Sequence, residues 1–457
     1  MKIKSLSLKL KPIGLRLTIV CLIFGVSSCS LLRHKKVKPG TTALAASLPP
    51  KPKADSLKNG LKPYKEIITN KAVSQYGLMN VHKVAERYFF EVPKKIIKRD
   101  ILVVSRLSGS TPGAGSFAGE EIGRRMVYWE QGPENKLFLK VSALVNVADS
   151  TDMIAKAVTN SNINPITASF PIKALAKDSS AFIIDVTEFL MSENPLLAFN
   201  GDSKKSFGLN TLAIDRSFIK AVKTFPTNTE IRTVRTYNSL AGTLPGTALA
   251  GAVTIELNNS FLLLPEVPMR KRYNDPRVGY FVNSYTKYGD EQQAVKSESF
   301  VNRWRLEVKD GDLEKYKKGE LVEPKKQIVY YIDPATPKKW RPYLIAGIND
   351  WQKAFEDAGF KNAIIGKEWP ESDSTMSLED SRYSVLRYFA SANANAYGPN
   401  VSDPRSGEIL ESHIGWYHNV MTLVHNWYMI QCGAVDPRAR KNVFDDKLMG
   451  QLIRFVS

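Results

Sequence analysis

Five histidines and three cysteines carry the most specific chemistry in this 457-residue chain: His34, His82, His413, His418 and His425, with Cys21, Cys29 and Cys432. A zinc site needs three or four Cys, His or carboxylate ligands converging on one ion. His418 and His425 are seven residues apart, so on a helix they share a face but stand about 10 Å apart along the axis. Two imidazoles on one zinc need their nitrogens only about 3–3.5 Å apart, so this pair cannot chelate together. Glu411 and His413 alternate on one side of an expected strand, which permits co-ligation, yet no third ligand is evident. Nowhere does the chain contain His-Glu-x-x-His, the spacing that puts two zinc ligands and a general base on one helix face.

The elements that position such groups begin after a targeting segment. Lys2, Lys4, Lys9, Lys11 and Arg16 precede an apolar run, Leu17–Val26, and then Ser27-Ser28-Cys29. That run is about half of the roughly 20 residues a membrane span requires. Small residues before a cysteine at the end of such a run look like a bacterial lipobox. The likeness implies a signal peptide over residues 1–28, lipidation of Cys29, and a membrane-anchored lipoprotein of the cell envelope. An ordinary signal peptide or an uncleaved anchor, with Cys29 incidental, is the other reading. With the leader removed and Cys29 acylated, Cys432 is the one remaining thiol, which excludes an internal disulfide. Formal net charge is +19, five charges of it in the leader. Many of the rest fall in 29–60 and just beyond, a Lys- and Pro-rich stretch expected to be a solvated tether beside anionic headgroups. The basic residues are not interleaved with aromatics at a recognisable spacing, and the chain reads as exported, so nucleic acid is not an expected partner.

Beyond the tether the pattern predicts three units. Residues 61–107 form a small one, ending in two apolar bursts within Arg87–Val104 that read as strands around a Pro-containing turn. Ser108–Gly119 is rich in Gly and Ser. It lacks the Gly-Lys-Ser/Thr of a phosphate loop and runs into Glu120-Glu121, so a flexible connection is expected. Residues 108–300 are β-rich, with a sandwich as one possible arrangement. Strands are expected at Met126–Trp129, Lys136–Val145, Ala181–Val186, Glu230–Tyr237, Ala252–Leu257 and Val278–Tyr285, and a helical piece at Ile214–Val222. Residues 301–457 mix strand and helix. Ile328–Ile332 is a buried-type strand. A helix over Thr336–Ala358 puts Leu344, Ile348, Trp351 and Phe355 on one face, with Gly359 as its cap. Strands at Phe360–Ile365, Tyr383–Phe389 and Glu408–Trp416 precede a helix over His418–Gln431. The last stretch, Asp445–Ser457, reads as an amphipathic helix with Leu448, Leu452 and Phe455 in its stripe and no C-terminal cap, and the expectation is a chain cut short.

Strand, long helix, strands, edge segment and helix is the element order of the upper half of zincin metallopeptidases. Specific phrases add to it: Asp275–Phe281 (DPRVGYF), Arg303–Leu306 (RWRL), Ile328–Asp333 (IVYYID), Ala346–Phe360 (AGINDWQKAFEDAGF), Asp403–Ile409 (DPRSGEI), Trp416–Asn419 (WYHN), Asp436–Arg440 (DPRAR) and Leu448–Ser457 (LMGQLIRFVS). From about Pro63 onward the chain resembles exported bacterial lipoproteins identified as zinc-dependent metalloproteases, with two N-terminal domains of unknown function and a metzincin-like catalytic domain.

The resemblance implies an α+β protein: a β-rich N-terminal domain followed by the incomplete upper half of a zincin-like α/β domain. It implies peptide or protein substrates and zinc in the full-length form. By the resemblance, the helix starting at Leu448–Ser457 would run into HExxHxxGxxH. This chain holds none of those ligands and no general base, so residues 1–457 are expected to bind no catalytic zinc and hydrolyse nothing. Substrate would pair with a strand bordering the cleft, either Tyr383–Phe389 or Glu408–Trp416, unless both are ordinary sheet strands. Arg382, Arg387 and Arg405 read as structural or rim charges. A cysteine switch is excluded, since no Cys lies between Cys29 and Cys432. The rival is a non-catalytic envelope lipoprotein whose β-rich domain captures a partner.

Overall fold

The computed structural model describes residues 60–112, 118–239 and 250–457, so Cys29 and the tether lie outside the described residues. Along the first half run α1 (Tyr64–Ile67), β1 (Val73–Gln75), β2 (Asn80–Val84), β3 (Arg87–Pro93), β4 (Ile101–Ser110), β5 (Glu121–Gln131), β6 (Lys136–Val141) and β7 (Asn146–Ala148). Then come α2 (Ile154–Ser161), β8 (Ile166–Leu175), β9 (Ala181–Asp185), α3 (Thr187–Met191), α4 (Gly201–Ser206), β10 (Leu209–Thr224), β11 (Asn228–Ser239) and β12 (Ala252–Leu263). All these strands except β7 join one antiparallel sheet, ordered β1-β2-β3-β9-β8-β6-β5-β4-β12-β11-β10.

That sheet closes on itself. Leu78 N–H, in the β1–β2 connection, donates to the Phe225 carbonyl beyond β10 at 2.7 Å. Val73, Val81 and Tyr88 face Ala221 and Val222 across a gap of about 170 Å³. The concave side therefore meets itself, and Phe90, Trp129, Leu137, Ile184, Ile231 and Phe261 from strands throughout the order share one core. This is a single curled sheet and not a two-sheet sandwich. The expected boundary at 107/108 falls inside β4, so residues 61–107 and the β-rich region build one sheet.

Ile214–Val222 is strand, not helix. β10 pairs with β11, and its register slips between Ala213 and Phe218 and again between Ile219 and Ala221. Each bulge breaks the two-residue alternation, which left apolar residues at spacings that mimic a helix.

The second half adds β13 (Val282–Tyr288), β14 (Lys296–Val301), β15 (Arg303–Trp304), α5 (Leu313–Lys317), β16 (Ile328–Ile332), α6 (Arg341–Asp350), α7 (Gln352–Asp357), β17 (Ile364–Glu368) and β18 (Ser384–Phe389). β19 (Ala396–Tyr397), β20 (Val401–Ser402), β21 (Glu408–Glu411), β22 (His413–Tyr417), α8 (Val420–Cys432) and α9 (Asp446–Val456) follow. β14-β13-β7 and β15-β21-β20 are small sheets. The main one is ordered β17-β16-β18-β22-β19. β17, β16, β18 and β22 are mutually parallel, and β19 alone runs antiparallel, against β22. A large antiparallel sheet beside a smaller, mostly parallel one with helices gives an α+β protein, as expected.

Several elements differ from expectation here: β17 starts at Ile364 and not at Phe360, and β13 at Val282 and not at Val278. The long helix divides into α6 and α7 at Trp351, whose N–H bonds Ile348 O, three residues back. That tighter turn carries Trp351 off the buried stripe, and it is 58% exposed while Leu344 and Ile348 are buried. Gly359 caps α7 at φ +91, as its position required. Glu408–Trp416 is two strands, because the chain changes sheet at Ser412: its N–H is taken by Ser384 Oγ and its hydroxyl donates to Pro399 O. Finally, His418 precedes α8 and so does not share a helix with His425.

α6 and α9 pack together on one face of the parallel sheet. Gly347 is required there, since a Cβ would strike the Arg454 carbonyl. Ile332, Leu344, Leu386, Trp416, Val424 and Ile453 form the core between sheet and helices. In α9, Asp445 caps the N-terminus by accepting from Leu448 N–H at 2.8 Å. Leu448 and Ile453 are buried, Leu452 is partly covered and Phe455 is 87% exposed.

Candidate functional site

The parallel sheet has two unlike faces, because successive side chains on a strand point opposite ways. Leu386 and Tyr388 of β18, with Ile414 and Trp416 of β22, face the helices. Val385, Arg387 and Phe389, with His413, face the curled sheet, since register pairs Val385 with His413 and Arg387 with Gly415. Between the sheets lies a polar chamber of about 130 Å³ whose lining includes Arg106, Glu230, Arg232, Arg387, Glu411 and His413.

Charge dominates that chamber. Arg106 on β4 reaches Glu411 Oε1 at 3.3 Å, with both side chains at most a tenth exposed. Arg232 pairs with Glu379 and Glu256. Glu230 accepts from Asn228 and Asn258, each at 2.6 Å. Burial raises the carboxyl pKa of both Glu230 and Glu411. His413 is pushed down to about 3, by burial first and then by Arg106 and Arg387. A neutral His413 offers a ring nitrogen 3.7 Å from Glu411 Oε2, beyond hydrogen-bond reach. Arg106 Nε, Arg232 Nε, Asn258 Oδ1 and His413 Nε2 are buried with no protein partner, and all four residues line the chamber. Its volume admits water that can bridge such groups.

A larger hollow of about 560 Å³ opens beside it, where β12 meets β16, β18 and β21, lined by Leu263, Trp304, Ile328, Tyr331, Tyr383 and Lys326 among others. Tyr331, Trp369 and Tyr383 stand edge to face with centroids 5.5–6.0 Å apart.

The expected site residues are dispersed. His418 Nδ1 lies 2.7 Å from Tyr388 OH, and His425 Nε2 lies 2.8 Å from Lys441 O while its ring stacks on Phe444. His82 is buried between Ser74 Oγ and Glu91, far along the chain from the others. Glu411 and His413 do approach each other, but among the described residues no three His, Cys, Asp or Glu form a group able to hold a metal. The zinc implied by resemblance therefore finds no ligand set among the described residues. Arg382, Arg387 and Arg405 are engaged in ion pairs: they hold Asp380, Asp333 and Asp403 respectively, and Arg405 also reaches Asp100 at 3.1 Å. Asp275, Asp380, Asp403 and Asp436 repeat one device, each binding the backbone N–H and guanidinium of the Arg two residues on.

Neither strand expected to border a cleft is free to accept another chain. β18 lies between β16 and β22, and β22 lies between β18 and β19. An interior strand has hydrogen-bonding partners on both sides, so the open edges of this sheet belong to β17 and β19, and β19 is the one beside β22. Its surroundings, Ser391–Asn400 (SANANAYGPN), have mostly small side chains that leave the backbone approachable, and Ala396 is exposed. Sequence reasoning also missed the chamber. Arg106 interrupts the apolar run Ile101–Leu107, and an arginine there was the available signal of a buried ion pair.

Residues 61–110 match the family model described as Domain of unknown function (DUF5118), and residues 119–309 match Domain of unknown function (DUF5117). No curated protein and no solved structure matches the chain. Among the described residues no helix is long and apolar enough to cross a membrane.

Proposed function

We propose that this chain is the N-terminal portion of a zinc-dependent metalloendopeptidase lipoprotein, anchored through Cys29 to an envelope membrane, and that residues 301–457 are the upper half of its zincin-like domain. The observation that carries this is the strand order β17-β16-β18-β22-β19 with its single antiparallel member outermost. In such a domain that short edge strand borders the cleft, and an extended peptide adds to it by main-chain hydrogen bonds. In this chain that strand is β19, one of the sheet's two edges, and an incoming peptide would displace the Asn395 side chain, whose Oδ1 accepts from Ala396 N–H at 2.8 Å. The helix α9, capped by Asp445 and packed on α6, is the element that would lead to the metal motif. Among the described residues no three His, Cys, Asp or Glu could hold a metal, and on this reading the chain positions peptide without cleaving it.

Hydrogen exchange tests the assignment. Amides at 395–398 exchange quickly in the free chain and slow when an unstructured peptide such as reduced casein is added, while β18 is slow throughout. Protection appearing elsewhere, with 395–398 unchanged, contradicts it. A second reading, a non-catalytic envelope binding protein, is favoured by one observation, the 560 Å³ hollow of mainly apolar lining, which is within the size range of ligand pockets.

A further inference from the structure

The connection from β12 to β13 carries a surface that the proposed function does not use. Residues 276–282, Pro-Arg-Val-Gly-Tyr-Phe-Val, are exposed without interruption. Phe281 is 81% exposed, Tyr280 55%, Val278 46% and Val282 41%, with Tyr273 at 58% just before. Scattered apolar residues on a surface are ordinary, but a contiguous protruding cluster marks an interaction site. Arg270, Lys271, Arg272 and Arg277 lie beside or within the cluster in sequence.

Few acids answer those cations. Asp275 is held by Arg277, and Glu298 by Tyr285 OH and Lys287. Lys271 sits over the Tyr285 ring at 4.2 Å. Among the described residues Arg270 and Arg272 have no ion-pair partner. The field is crowded enough that Arg303 is lowered by burial and then by Arg272 and Arg305.

Part of the backbone of this tip is paired internally. Asp275 accepts from Arg277 N–H through Oδ1 and from Val278 N–H through its carbonyl. Tyr280 N–H donates to Val278 O, and Phe281 O accepts from Asn302 N–H at 2.9 Å. Arg272 O and Arg270 O are likewise tied, to Val301 N–H and the Arg303 guanidinium. Those paired groups can enter a poorly hydrated layer at less cost than free ones, and the rest stay at the hydrated headgroup level. Aromatic rings settle at the headgroup level and basic side chains pair with anionic lipid.

We infer that residues 270–282 form an interfacial docking tip that inserts Val278, Tyr280 and Phe281 into the surface of an anionic bilayer, with Arg270 and Arg272 on its headgroups. This rests on the envelope reading only for its setting. Its test uses unacylated protein and so stands or falls apart from Cys29.

The full chain, with its three cysteines replaced by Ser, carries either Phe281→Cys or Ile214→Cys, each labelled with an environment-sensitive nitrobenzoxadiazole probe. Ile214 is 75% exposed on the edge strand β10 and serves as control. With phosphatidylglycerol–phosphatidylcholine vesicles the probe at 281 shifts to the blue and brightens several-fold, the probe at 214 does not, and phosphatidylcholine alone gives no change. Arg270→Glu with Arg272→Glu raises the lipid concentration needed by roughly tenfold or more. The inference is overturned if both probes respond alike, if the chain co-sediments through its leader while 281 stays in water, or if soluble polyglutamate and not vesicles shifts the probe.

Discussion

The curled antiparallel sheet and the parallel sheet differ in how much of their own surface they cover. The first bends until its two ends meet, so its concave face largely partners itself, and Phe90, Trp129 and Phe261 are almost wholly buried with Leu190, Leu196 and Leu197 of the β9–β10 connection added to that core. A parallel sheet has no such option and needs cover on both faces. Here α6 and α9 cover one face, and the other meets the curled sheet across charged groups and the two hollows. The helical layer is itself bare outside: Trp427, Ile430, Val435, Val443 and Phe455 are 50–87% exposed. One region is a closed core, and the other is a scaffold that offers an edge and a surface.

The contrast breaks first on side-chain truncation. Phe261→Ala, in the closed core, is expected to lower unfolding stability by about 3–5 kcal/mol, while Phe455→Ala stays within about 0.5 kcal/mol, both by urea titration. Equal losses would mean the helical layer is covered in solution. Next in size is the junction. Arg106→Leu strands Glu411 in the interior and should cost roughly 3 kcal/mol, and adding Glu411→Met should recover most of it. No recovery in the double variant would show that Arg106 acts through packing alone.

The pH dependence of the junction follows from His413. Its folded state refuses a proton that the unfolded chain takes up below about pH 6.5. Stability from this group is therefore lost as pH falls from about 6.5 toward 3, by a few kcal/mol at most. The raised carboxyls of Glu230 and Glu411 act the other way, stabilising at low pH and losing that contribution as pH rises through their folded values. His413→Gln isolates the histidine: the acid limb of the stability curve should flatten, and an unchanged limb would mean the chamber is open to solvent. The smallest effect is at the cap of α9, where Asp445→Ala should cost about 1 kcal/mol.

Much of the parallel region was legible because its elements are locally encoded. Ile328–Ile332 is a run of apolar residues, Gly359 marks a helix end, and Leu344 and Ile348 step at helical spacing, and each lies where expected. What failed was set by partners distant in sequence. β10 looked helical because bulges against β11 disturb its alternation, and the break at Ser412 depends on Ser384 and Pro399. The edge role of β19 was hidden for a simpler reason: two residues of Ala-Tyr in a small-residue loop carry no periodic signal. The segmentation read at 107/108 falls inside β4, and the sheet runs straight through it.

Metal content joined to proteolysis goes most directly to the central claim, that residues 301–457 frame a peptide-binding edge while holding no catalytic zinc themselves. The purified 457-residue chain is loaded with zinc, dialysed against a weak chelator, analysed for metal and assayed on casein. The account predicts no zinc retained in proportion to protein and no cleavage. One zinc retained per chain, with proteolysis that EDTA abolishes, would contradict it.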